Sequence, residues 1–273
     1  MASLPMRAGQ QQGQQVPDSR QDDDPGTVRF SNVHDLLNMI DRTTRDCLTI
    51  TNISLDHFTD IKYARQEHRR KFCFRFYDSN SRILILTIPT YIHEQLHLGL
   101  YTECFGQIHD MGLSKSWKSI GSGEFSVQVY SGRRGKEGDS TGGPKPERAS
   151  KGAWPTLVIE AGYSETLANL RLDMQRWFSM SNHEVKIVLL AKFDGTNIIL
   201  EKWEEEDPEP VLRQSITITR NTATNPISYD VARGALVLSF RLLFLRDPGP
   251  GERDVVIGVQ ELGEYAENVW VEV

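Results

Sequence analysis

Residues 154–192 read WPTLVIEAGYSETLANLRLDMQRWFSMSNHEVKIVLLAK. Leu157, Val158 and Ile159 form a short apolar run, the pattern of a strand covered on both faces. The run delivers one acid, Glu160, at its C-terminal end, and Gly162 breaks it. Ser164 is placed to cap a helix with its hydroxyl, and Glu165 to complement the helix dipole. That helix is expected over about 165–179, with Leu167, Leu170, Met174, Trp177 and Phe178 on one face. A second apolar strand is expected over 184–192. A strand–helix–strand unit of this length favours a parallel pair joined by a crossover. Ligands in such sheets bind off the carboxyl ends of the strands, and Glu160 stands there.

The chain has 273 residues and a net charge of −6. That charge speaks against a broad non-specific nucleic-acid surface but leaves room for a local basic cleft. No apolar run approaches the roughly 20 residues a bilayer requires, and the N-terminus lacks the layout of a secretory signal. The three cysteines, Cys47, Cys73 and Cys104, are widely spaced and form no CxxC pair, so they are read as reduced thiols. Together these features suggest an intracellular protein of the cytoplasm or nucleus, with no membrane partner.

Residues 1–27 are rich in Gln, Asp, Gly and Pro and are read as a disordered tail. One domain is expected over 28–273. A short helix capped by Ser31 or Asn32 turns Leu36, Leu37 and Ile40 inward. Lys62, Arg65, Arg69, Arg70, Lys71 and Arg75 form a basic run, either a phosphate-contacting edge or, as such runs usually are, a solvated face. Residues 72–78 and 82–88 read as a hairpin. Pro89 ends that strand, and a helix follows over 90–111 with Glu94 in its first turn, where the macrodipole favours an acid. The seven histidines are read as offering no HExxH or similar metal-binding spacing: His93 and His97 stand four apart on that helix, but no third ligand is named for them and a histidine zinc centre is not expected. Residues 124–131 read as a strand and 133–153 as a loop. Asp173 is read as a helix-surface ion pair with Arg171 and Arg176, and Trp154 and Trp177 as core.

The order helix, strand, strand, strand, helix, strand over about 83–192, with acids at Asp139 and Glu160, resembles the restriction-endonuclease-like core of the PD-(D/E)xK nucleases. The local text also resembles a group of uncharacterised, mostly fungal proteins. It shares with them Pro89, His93 and Glu94, then Lys136, Glu137 and Asp139, then Trp154, Pro155, Thr156, Glu160, Gly162, Ser164, Glu165, Asp173 and Trp177. The resemblance implies an α/β fold: a mixed sheet flanked by helices, with extra strands and helices at both ends. It implies a Mg²⁺-dependent (or Mn²⁺-dependent) endonuclease acting on DNA. Asp139 and Glu160 would be the metal ligands, with the Ala161 carbonyl, and Glu94 an accessory ligand. The family's lysine belongs two residues after the strand acid, where this chain has Gly162, and its proline belongs where this chain has Gly138. Lys136 and Lys186 are the candidates to replace the lysine, Lys136 slightly favoured. The alternative is a catalytically inactive nuclease fold that binds protein or nucleic acid.

Overall fold

Asn32 accepts from the Asp35 amide and starts helix α1 (Val33–Arg42), whose Leu36, Leu37 and Ile40 are buried as their spacing predicts. The computed structural model describes residues 26–121, 123–129, 132–271 and 273. Nearly all of the tail expected over 1–27 lies outside them. Around α1 stand β1 (Thr27–Arg29), β2 (Cys47–Thr51), α2 (Leu55–Glu67) and the hairpin β3 (Cys73–Asp78) and β4 (Ile83–Thr87). Leu36, Ile50, Phe58, Ile61, Phe74 and Leu84 share one apolar cluster between these helices and strands. Fully burying each such side chain is worth roughly 1.5–3 kcal/mol.

Helix α3 (Tyr91–Asp110) follows, capped by Thr90. Then come β5 (Trp117–Ser119), the hairpin β6 (Glu124–Val129) and β7 (Gly132–Glu137), and β8 (Ser140–Pro144). The segment read as a loop over 133–153 therefore contains two strands. Its glycines mark close approaches rather than disorder: a Cβ on Gly142 would lie 2.6 Å from the Trp117 ring. The rest of the chain is β9 (Leu157–Gly162), α4 (Leu167–Met180), β10 (Ile187–Phe193), β11 (Asn197–Glu204), β12 (Val211–Asn221), β13 (Ser228–Ala232), β14 (Leu236–Leu238), α5 (Phe240–Phe244), β15 (Val255–Ile257) and α6 (Val259–Trp270).

The strands form a mixed α/β architecture. One sheet has the order β1-β2-β4-β3-β7-β6, a second the order β13-β12-β11-β10-β9-β8-β5, and β14 and β15 pair separately. In the second sheet β5, β8 and β9 are antiparallel neighbours, while β9 and β10 are parallel, with Leu157 opposite Ile187 and Glu160 opposite Leu190. Alternate residues of β9 face opposite helices. Leu157, Ile159 and Ala161 join Leu96 and Leu100 of α3, and Val158 joins Leu170, Met174 and Trp177 of α4. The β6–β7 hairpin leaves this sheet and pairs with β3 in the other. The chain thus crosses from one sheet to the other between Glu137 and Ser140, and that seam holds the site. None of the helices among the described residues is long and apolar enough to cross a membrane.

Candidate functional site at the seam between the sheets

Glu160 shares the parity of Val158 and turns toward α4, where the Trp177 indole donates to its Oε1. Lys136, on β7 of the other sheet, places Nζ 3.6 Å from the same oxygen and 3.2 Å from Asp173 Oδ1. Its ammonium also stands 5.0 Å from the centre of the Trp177 ring. Arg75 enters from β3, where the pairing register shifts between Phe74 and Phe76. A bulge re-aims a side chain, and this one sends Arg75 inward to Asp173 and Glu165. Lys136 and Glu160 are both 0% exposed, and Arg75 and Asp173 1%. Two buried cations from one sheet thus meet three buried acids: Glu160 on β9, Glu165 in the segment after it and Asp173 on α4.

Burial is the largest influence on Glu160 and raises its pKa above the ordinary carboxylate value. Lys136 opposes it, and Asp139 pushes further upward. Burial raises Glu165 likewise, against Arg75. Asp173 goes the other way: burial would raise it, but Lys136, Arg75 and Arg176 outweigh burial and hold it low.

Asp139 stands on the crossing itself. Its Oδ2 accepts the Ala161 amide at 2.8 Å and lies 3.2 Å from His93 Nε2. Burial would raise Asp139, but the His93 charge and contact overcome it and hold the carboxyl well below its usual range. Burial would lower His93, yet Asp139 and Glu94 raise it to about 10. Contacts with His93 and His97 lower Glu94 to about 2. These residues wall a cleft of about 510 Å³ whose rim carries Arg65, Arg70 and Lys71. Arg65 is held there by a two-point pair with Glu137 at 2.8 and 2.9 Å, so the basic run lies partly on a cleft edge and partly in ion pairs.

The structure brings Lys136 to Glu160 but not Lys186. The Lys186 amine donates to the His183 carbonyl at 2.6 Å and to Glu205 at 3.0 Å, at the far end of the strand pair from Glu160. Glu94 belongs with His93 and His97. Among the described residues these three form a group whose ligand atoms lie within 4.8 Å of one another, and Glu94, Asp139 and Glu160 do not. Residues 93–97 in fact spell His-Glu-Gln-Leu-His, a complete HExxH spacing. The expectation that no such spacing is present is therefore corrected; the motif by itself supplies two histidine donors, and here Glu94 Oε1 also lies 3.4 Å from His97 Nε2.

Three further expectations are corrected. Asp173 is a buried hub rather than a surface pair, and Arg171 binds Glu201 instead. Thr166 caps α4, while Ser164 joins Tyr163 in donating to Asp46. Glu165 pairs with Arg75 rather than with the helix dipole. The two glycines at the resemblance's lysine and proline positions have steric reasons. A Cβ on Gly162 would lie 3.1 Å from Leu170 Cδ1, and one on Gly138 would lie 2.6 Å from Thr141 Cγ2.

Fold and site together define a mixed α/β protein with a buried acid–base network beside a basic-rimmed cleft. No family model matches the chain. No curated protein matches it. Four chains of solved structures match. One is the type IIG restriction endonuclease BpuSI, at 17% identity and a TM-score of 0.28, over 48% of this chain and 14% of that one. So loose a superposition does not define a fold.

Proposed function

We propose that the chain is a metal-dependent phosphodiesterase of the restriction-endonuclease-like class, acting on DNA through Asp139, Glu160 and Lys136. The observation that carries this reading is Lys136 Nζ, 3.6 Å from Glu160 Oε1, arriving from a neighbouring sheet where the family lysine would rise from Gly162. The strand order supports it. Helix α3, strands β5, β8 and β9, helix α4 and strand β10 run helix, strand, strand, strand, helix, strand, with the β6–β7 hairpin as an insertion.

The residues suit a hard divalent ion. Glu160 Oε2 is buried without a hydrogen-bond partner, and Asp139 lines the cleft. Two carboxylates of this kind are Mg²⁺ or Mn²⁺ donors. Such an ion, when bound, acidifies a water and offsets charge on the phosphate. Lys136 contributes a fixed cation beside Glu160 for the charge that develops in displacement. Arg65, Arg70 and Lys71 bring cations to the cleft lining, of which Arg65 pairs with Glu137 and Arg70 with Asp41.

The test is nicking of supercoiled DNA in Mg²⁺ or Mn²⁺. Wild type should cleave, and Glu160→Gln, Asp139→Asn and Lys136→Met should each lose about 100-fold or more. Cleavage by folded Glu160→Gln at the wild-type rate refutes the reading. One observation favours the second reading, a nuclease fold that binds without cleaving: Glu160 and Lys136 are both closed from solvent, and Trp177 occupies a Glu160 oxygen. Retained DNA binding with no cleavage in either metal would select it.

A further inference from the structure

The proposed nuclease chemistry leaves His93, Glu94 and His97 without a task. All three come from the first two turns of α3, where Thr90 caps the helix by accepting the His93 amide. Residues four apart on a helix share a face, and the two imidazole centroids are 5.1 Å apart. Glu94 Oε1 lies 3.7 Å from His93 Nδ1 and 3.4 Å from His97 Nε2. Donors about 2.0–2.1 Å from a tetrahedral zinc ion are separated by about 3.3–3.4 Å; the two Glu94 contacts are close to that, and all three donors lie within 4.8 Å of one another.

On the opposite side, His97 has a hydrogen-bond partner and His93 a carboxylate at ion-pair distance. His97 Nδ1 is 2.9 Å from Ser140 Oγ, and His93 Nε2 is 3.2 Å from Asp139 Oδ2. A metal-binding histidine characteristically has its second nitrogen oriented by a hydroxyl or carboxylate in this way. With Nδ1–H donating to Ser140, the lone pair of His97 Nε2 faces Glu94. His93 is 1% exposed, yet neither ring nitrogen completes a hydrogen bond. A buried polar ring so placed is costly unless something satisfies it. The third donor, Glu94, is only part-buried and faces the cleft, which provides a path for an ion.

We propose that His93 Nδ1, Glu94 and His97 Nε2 bind one divalent ion of the Zn²⁺ class on the cleft wall, oriented by Asp139 and Ser140 and separate from the pair formed by Glu160 and Lys136. Two imidazoles and a carboxylate suit Zn²⁺ and its borderline neighbours rather than Mg²⁺, which prefers an all-oxygen shell. Three protein donors leave a fourth position open toward the cleft, the pattern of a site that takes a water or a ligand. The site stands whether or not the chain cleaves phosphodiesters.

The test uses full-length protein without a histidine tag. It is titrated with Co²⁺, followed by visible absorption, and then displaced with Zn²⁺. In excess Mg²⁺, which occupies any all-oxygen site at Asp139 and Glu160, one equivalent should still bind. His97→Ala and Glu94→Gln should weaken it by about 100-fold, and the mild Ser140→Ala by about tenfold. Glu160→Gln should bind as wild type. Circular dichroism and melting of each variant separate lost ligands from lost folding. Absence of binding, or equal binding by folded His97→Ala and Ser140→Ala, overturns the site. Loss in Glu160→Gln also overturns it, because the ion would then lie between Asp139 and Glu160.

Discussion

Asp173→Asn removes one charge at constant volume from the centre of the seam. In the native protein that carboxylate meets Arg75 and Lys136, which are 1% and 0% exposed, and Arg176, whose side chain is 30% exposed. The substitution leaves the two buried cations facing Glu160 and Glu165, both of which burial pushes toward the neutral form. Arginine cannot shed its proton, so the imbalance stays in the interior. Breaking a buried ion pair by removing one partner costs about 3–5 kcal/mol, whereas a helix-surface pair contributes only about 0.2–0.5 kcal/mol. At roughly 2–4 °C per kcal/mol for a chain of this size, Tm should fall by roughly 6–20 °C. Urea unfolding at pH 7, followed by circular dichroism, measures the loss. Arg176→Ala, removing the partner nearest solvent, should cost under about 1 kcal/mol. An Asp173→Asn loss below about 1 kcal/mol refutes the hub and restores the surface pair.

Gly162→Lys should not supply the lysine of the resemblance. Its Cβ meets Leu170, so the expected result is about 1–3 kcal/mol of destabilisation in urea melts and no gain in cleavage. Gly138→Ala should be destabilising by a similar amount, because its Cβ strikes Thr141 and the Trp177 ring. Stability against pH should peak on the mildly acidic side. His93 is raised from 6.5 to about 10, so its contribution is complete below pH 6.5 and is lost as pH climbs toward 10. Glu94 is lowered from 4.5 to about 2, so its contribution is present above pH 4.5 and is lost as pH falls toward 2. The raised Glu160 and Glu165 add to the alkaline decline, since ionising them favours the unfolded chain. Stability that still rises between pH 7 and 9 would refute this balance. His93→Gln should flatten the alkaline limb in the same melts.

Periodicity alone determined much of this protein. The apolar stripe of α3, the parallel pair β9 and β10 and the helix between them all follow from local spacing, whereas Glu160, expected to close a strand broken at Gly162, stands inside β9, which runs on through Gly162 opposite Lys192. His93 and His97 also share a helix face by their spacing of four, but that spacing alone does not name Glu94 as a third donor. Local spacing could not show β7 and β8, because glycines such as Gly132 and Gly142 fit a strand only once Ser79 and Asn80 in the one case and Trp117 in the other are packed against them. Nor could it place Lys136 rather than Lys186 beside Glu160, since that depends on one hairpin leaving its sheet for another. Asp173 looked like a surface acid because its partners Arg75 and Lys136 are distant in sequence and reach it through a bulge and a sheet crossing. The charges at the seam are a tertiary property: each is tolerable in the interior only because the fold delivers its counterpart from another strand or helix.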